Sequence, residues 1–176
     1  MLINVATLLQ EPIGVTRRYD ATGETASVPA VGYRRELLGR VVLMRVGRGV
    51  IVMADLVVYA DLECSRCLTS FSQPVTIAFD EEFVPERDMI TGEATPDLDA
   101  DEFRIDETHH LDLSEAVRQY EQSALPLGPL CSPECAGLCP TCGQNRNEHD
   151  CDCPRDRGDG RWSSLAGLAD RLRSEE

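Results

Sequence analysis

Six of the eight cysteines fall between Cys131 and Cys153, a stretch of 23 residues whose only large aliphatic side chain is Leu138. A chain folds only where burial or bonding offsets its conformational entropy, and this stretch has almost nothing to bury. A bound metal is the natural substitute. Cys139-Pro140-Thr141-Cys142-Gly143 has the form of a knuckle. Two thiolates three residues apart clasp one ion while the backbone N–H groups beyond them point at the sulfurs. Gly143 suits the positive φ needed there, and Pro140 stiffens the entry.

The cysteines form four pairs: 64/67, 131/135, 139/142 and 151/153. Cys139, Cys142, Cys151 and Cys153 are contiguous and predict one self-contained Cys₄ site. Cys131 and Cys135 then meet Cys64 and Cys67 in a second one. Closed four-thiolate sites are structural and leave no position for a substrate, so two Zn²⁺ ions are the expected cofactors, with iron at one site the runner-up. A thioredoxin-like reading of Cys64-Ser65-Arg66-Cys67 needs a strand-to-helix junction, whereas here the motif joins two strand patterns. His149 is a spare ligand, expected to be exposed. Asn145 and Asn147 sit where hydrogen bonds would help hold the loop around the sulfurs, or serve as ordinary turn residues.

No lysine occurs; all 17 basic residues are arginine, against 31 acids, for a formal charge of −14. Because each four-thiolate zinc site carries a net −2, two of them take that to −18. Such a chain does not coat nucleic acid through its overall field. Contact with RNA requires a local patch, and Arg34, Arg35, Arg40, Arg45 and Arg48, opposed only by Glu36, are the candidates. The competing account is a charged edge strand that resists aggregation. The N-terminus lacks the basic lead of a signal peptide, and no apolar run approaches the ~18 residues of a membrane span. Clustered cysteines in such a chain fit the cytosol. No Gly-rich phosphate loop, His-Glu-x-x-His or serine-nucleophile motif is present, and His109 and His110 read as a solvent-exposed pair, so no enzyme is expected.

The expected fold class is α+β. Residues 40–46, a long alternating run over 50–63 and a run carrying Val75, Ile77, Phe79 and Phe83 predict an antiparallel β-meander, a partly closed sheet with the first cysteine pair at its second turn. The length of the middle run predicts a bend or bulge. Leu2–Leu9 reads as a short strand. The stretch 86–112, with ten acids, reads as a solvated loop. A capping helix is expected over about 113–123, with Asp112 as N-cap, Glu115 completing a capping box, and a stripe of Leu113, Ala116, Val117 and Tyr120. A C-terminal amphipathic helix over 161–176 carries Trp162 as a core anchor. Three units are expected: 1–128, a cysteine-rich zinc-knuckle module at 129–160, and that helix.

The segments Leu62–Leu68, Leu125-Pro126-Leu127 leading to Cys131, Cys135–Gly143 and Asn145-Arg146-Asn147 together resemble the YceD family of large ribosomal RNA subunit accumulation proteins. The resemblance covers roughly residues 37–172 and is specific in the two cysteine regions. It implies a bacterial or plastid protein, non-enzymatic, that supports accumulation of large-subunit (23S) ribosomal RNA. The expected partner is a large-subunit precursor, met through its RNA or a basic ribosomal protein, with no membrane and no small-molecule substrate. The alternatives are a zinc-ribbon adaptor between proteins and a thiol redox protein.

Overall fold

In the computed structural model, residues 1–88, 91–95 and 102–153 are described. In chain order the elements are β1 (Leu2–Asn4), α1 (Ala6–Leu9), β2 (Thr16–Asp20), β3 (Thr25–Val28), β4 (Tyr33–Glu36), β5 (Leu38–Arg45), β6 (Val50–Glu63), β7 (Ser70–Pro85), β8 (Phe103–Ile105), β9 (His110–Asp112) and α2 (Ser114–Ala124). A single 3-10 turn, Pro29–Val31, joins β3 to β4. The expected C-terminal helix and Trp162 lie outside the described residues.

The expected meander is present as β5, β6 and β7, the centre of a seven-stranded sheet ordered β1-β9-β8-β7-β6-β5-β2. On β6, Val50, Val52, Ala54, Leu56, Val58 and Ala60 are buried, and Val75, Ile77, Phe79 and Phe83 join them from β7. Of the expected bend or bulge, a bulge does not occur between β6 and β7: their register runs without a slip from Val50↔Phe83 to Glu63↔Ser70. β5 stops pairing at Leu38↔Val57. Beyond that point β6 and β7 form a two-stranded ribbon, and such ribbons twist freely without breaking register. Pro74, opposite Tyr59, lies on a stretch of β7 that has no strand on its other side among the described residues, an edge position that tolerates proline. Gly39 marks where β5 crowds its neighbour, since a Cβ there would lie 2.2 Å from the Asp55 carbonyl oxygen.

Three sequence expectations are corrected. Leu2–Leu9 is not one strand. Met1, Ile3 and Val5 alternate inward, then Val5, Leu8 and Leu9 take helical spacing, with the Asn4 side chain accepting the Ala6 N–H at the changeover. The acidic stretch 86–112 is not all loop, because β8 and β9 bury Ile105 and Leu111 against the core. β8 pairs parallel to β7, the one parallel pair in the sheet. The helix forms at the expected place, but without a capping box. Asp112 accepts the backbone N–H and hydroxyl of Ser114, while the Glu115 carboxylate turns to Arg118.

Helix α2 buries Ala116 and Val117 and stacks Tyr120 on Phe79, ring centroids 4.8 Å apart. It packs on β7 and on β3, so the two-stranded β3–β4 sheet meets its other side. Buried Glu121 accepts the Tyr33 hydroxyl (2.6 Å) and the Arg35 guanidinium (3.1 Å). Pro126 follows the helix, and the chain leaves extended at Leu125. That exit carries the following residues to the tip of the β6–β7 ribbon, where the Ser65 N–H donates to Pro129.

Candidate metal centres

The β6–β7 ribbon ends at Glu63 and resumes at Ser70, leaving Cys64 and Cys67 on the connecting turn. The chain leaving α2 brings Cys131 and Cys135 to the same place. Cys64 Sγ lies 3.8 Å from Cys135 Sγ, and Cys67 Sγ lies 3.6 Å from Cys131 Sγ. All four sulfurs lie within 4.8 Å of one another. Four sulfurs held tetrahedrally about 2.3 Å from one ion stand roughly 3.8 Å apart, so the quartet has the size of a metal site. A disulfide needs about 2.05 Å, and all eight cysteines are free. Cys64, Cys67 and Cys135 are buried with Phe71, Leu130 and Leu138 packed against them; Cys131 is exposed.

Cys139, Cys142, Cys151 and Cys153 form the second quartet, again with every sulfur within 4.8 Å of the others. Only Cys139 is buried here; Cys142 is exposed and the last pair is half-buried. Both pairings are those expected from the sequence.

The two knuckles share one backbone scheme. The Leu68 N–H donates to the Cys64 carbonyl (2.9 Å) and the Cys64 N–H to Thr69 (3.0 Å). At the second knuckle Gly143 donates to Cys139 (2.8 Å) and Cys139 to Gln144 (2.8 Å). Leu68 and Gly143 occupy equivalent positions, with φ of 59° and 75°. A leucine at that backbone conformation is unfavourable by about 1–2 kcal/mol. The glycine hides the likeness of the two loops from a sequence comparison.

The thiols in each quartet are driven apart in acidity. Backbone N–H groups, that of Cys131 foremost and then those of Arg66 and Cys67, bring Cys64 down to about 6. The Cys67 sulfur pushes Cys131 up to about 12. In the second quartet the N–H groups of Cys142 and Thr141 bring Cys139 down to about 6. The Cys142 sulfur and then burial push Cys153 up to about 12. Four thiolates this close repel one another, and a divalent cation among them removes the conflict. The donor set and its spacing therefore fit a metal ion at both places.

The five arginines singled out in the sequence have different partners. Arg35 pairs with Glu121, Arg40 with Asp55 (3.1 Å) and Arg48 with Glu102 (3.0 Å). Arg45 donates to the carbonyls of Leu9, Val46 and Gly49 at the β5–β6 turn. Arg34 is exposed on β4 and pairs with no acid among the described residues. His149 is exposed and outside both quartets. His110 bonds Thr108 and Asn4 at the surface. Among the described residues, no helix is long and apolar enough to cross a membrane.

A family model described as "Large ribosomal RNA subunit accumulation protein YceD" matches residues 52–169, 118 of the 176, a span that contains every cysteine. The chain belongs to the YceD family. Proteins of Mycobacterium bovis and Mycobacterium tuberculosis, each titled uncharacterized, are 31% identical over 139 residues, which cover 74% of this chain and 62% of theirs. An uncharacterized Mycobacterium leprae protein is 29% identical over 109 residues, 60% of this chain and 46% of its own. The chain thus spans less than two thirds of the length of these relatives. No solved structure matches it.

Asn145 and Asn147 were expected either to help hold the loop around the sulfurs or to serve as turn residues; the quartet they reach, and the part played by Thr69, were not legible in this YceD chain beforehand. Thr69 bonds the Cys67 sulfur (3.4 Å), and the asparagines following the second knuckle reach the first quartet. Which quartet the asparagines reach has no signal in sequence spacing, because it depends on how the two knuckles stack.

Proposed function

We propose that each quartet holds a structural zinc ion and that the chain acts, without catalysing a reaction, as an assembly factor supporting accumulation of large-subunit ribosomal RNA. The observation that carries this reading is the family match over a span holding both quartets. Zinc is the reading adopted because closed four-thiolate sets of this kind are the usual structural zinc sites, and iron is the alternative that metal analysis separates. Both quartets supply that set. The metals' role is to fix residues 127–153 on the tip of the β6–β7 ribbon, which Leu138 alone cannot do.

The contact with a large-subunit precursor is made through a basic ribosomal protein. Four of the five candidate arginines are engaged within the chain, while the outward face of β6 and β7 exposes Asp61, Glu63, Asp80 and Glu82. Such a face steers and orients a cationic partner. The test is co-sedimentation of the chain with large-subunit precursors from cells. Replacing those four acids by their amides should reduce the precursor-bound fraction several-fold. Replacing Arg34, Arg40 and Arg48 by glutamine should leave it unchanged. If the arginine variant is the one that dissociates, the contact is to RNA phosphate; if the native chain never co-sediments, the assembly role fails.

A further inference from the structure

Asn145 and Asn147 lie in the loop 143–150, held at both ends by the second quartet through Cys142 and Cys151. Among the described residues, their side chains bond no sulfur of that quartet. Asn147 Oδ1 accepts the Ala136 N–H (2.8 Å), which fixes the amide orientation and turns Nδ2 toward Cys135 Sγ at 3.3 Å. Asn145 Nδ2 donates to Thr69 Oγ1 (3.4 Å), whose hydroxyl contacts Cys67 Sγ. Asn145 also steadies its neighbour, its Oδ1 accepting both the backbone N–H (3.1 Å) and the side chain (2.8 Å) of Asn147. The backbone follows the same route: Arg146 N–H donates to Gly137, and Leu138 N–H donates to Arg66 inside the first knuckle. Gly137 presses so closely on Arg66 that a Cβ would stand 3.1 Å from its carbonyl oxygen.

We infer that the loop closed by the second quartet is the hydrogen-bonding support of the first, so that the two sites load metal cooperatively, with Asn147 as the positioning residue that couples them. The inference rests on the reading of both quartets as metal sites. An N–H donated to a thiolate stabilises its charge, and partners of this kind typically govern 10–100-fold in metal affinity. Metal at the second quartet fixes the loop and thereby presents Asn147 to Cys135. Linkage makes the effect reciprocal: whatever factor the second metal gives the first site, the first gives the second.

The experiment uses the full chain loaded with cadmium-113, whose two resonances are assigned by single cysteine substitutions. Each resonance is followed as EDTA is added. In the native chain the two should fade together. Opening the second quartet with Cys142→Ser and Cys153→Ser should weaken cadmium retention at the first by about 10–100-fold. Asn147→Asp keeps the acceptor for Ala136 but removes the donor to sulfur. It should weaken the first site comparably, shift its resonance, and leave little further loss when the second quartet is opened as well. Asn145→Asp, which removes the donors to Thr69 and Glu148 but none to a sulfur, should give a smaller effect in the same direction. Circular dichroism of the strands should be unchanged throughout. Two cadmium ions whose retention is independent, or Asn147→Asp and quartet-opening losses that multiply, would overturn the coupling and leave the metal sites standing. A native chain that binds no cadmium overturns both.

Discussion

The first and second quartets use the same backbone turn but close very different lengths of chain. From Cys67 to Cys131 is 64 residues, whereas from Cys142 to Cys151 is nine. In an unstructured chain the longer closure costs about 1.7 kcal/mol more in entropy. The fold offsets part of that cost by returning the chain to the ribbon tip at Pro129, two residues before Cys131. The unbroken β6–β7 register carries Cys64 and Cys67 to a fixed tip, and α2 delivers the chain of Cys131 and Cys135 to it. The first site is thus a tertiary clasp with three buried sulfurs, and the second is a local one with a single buried sulfur.

The largest expected effect follows from that difference. At saturating zinc, Cys64→Ser should free the stretch 127–153 from the ribbon, because an apparent 10–16 kcal/mol is typical of structural zinc binding. The Ser65 and Leu138 amides, which donate to Pro129 and Arg66, report it. Their hydrogen-exchange protection should fall by more than ~100-fold on loss of the clasp. Cys142→Ser should leave the Ser65 amide protected. Equal loss in both variants would erase the distinction between a tertiary and a local site.

A smaller effect sharpens the likeness between the knuckles. Gly143→Ala places a side chain at a φ of 75° and should weaken the second site by about 1–2 kcal/mol, roughly 5–30-fold in affinity. Leu68→Gly relieves the same conformation at the first knuckle and should stabilise it by up to about 1 kcal/mol, the gain being offset in part by added freedom of the unfolded chain. Thermal melts of the zinc-loaded variants measure both signs.

The meander, α2 and both cysteine groupings were legible in the sequence because each rests on a short-range pattern. Alternation over 50–63 needs only one buried face, and a knuckle needs only its own turn. What was not legible depends on neighbours. That β6 outruns β5 beyond Leu38↔Val57 and continues with β7 as a ribbon is announced by nothing in β6. β8 and β9 hide in an acidic stretch because only Phe103, Ile105 and Leu111 face inward, too few residues for a period to show. The arginines cluster in sequence, yet strand alternation, the β5–β6 turn and separate sheets send them to different partners. Asn147 stands 12 residues from the sulfur it contacts, and a turn asparagine that serves a remote ligand looks like any other.

The most direct test of the two-site account is zinc content by native mass spectrometry across the cysteine variants. The native chain should carry two zinc ions. Cys64→Ser and Cys131→Ser should each release one, and the double variant should release no more than either alone, because the two residues share an ion. Retention of one zinc in the native chain, or losses that add in the double variant, would contradict the pairing on which the account rests.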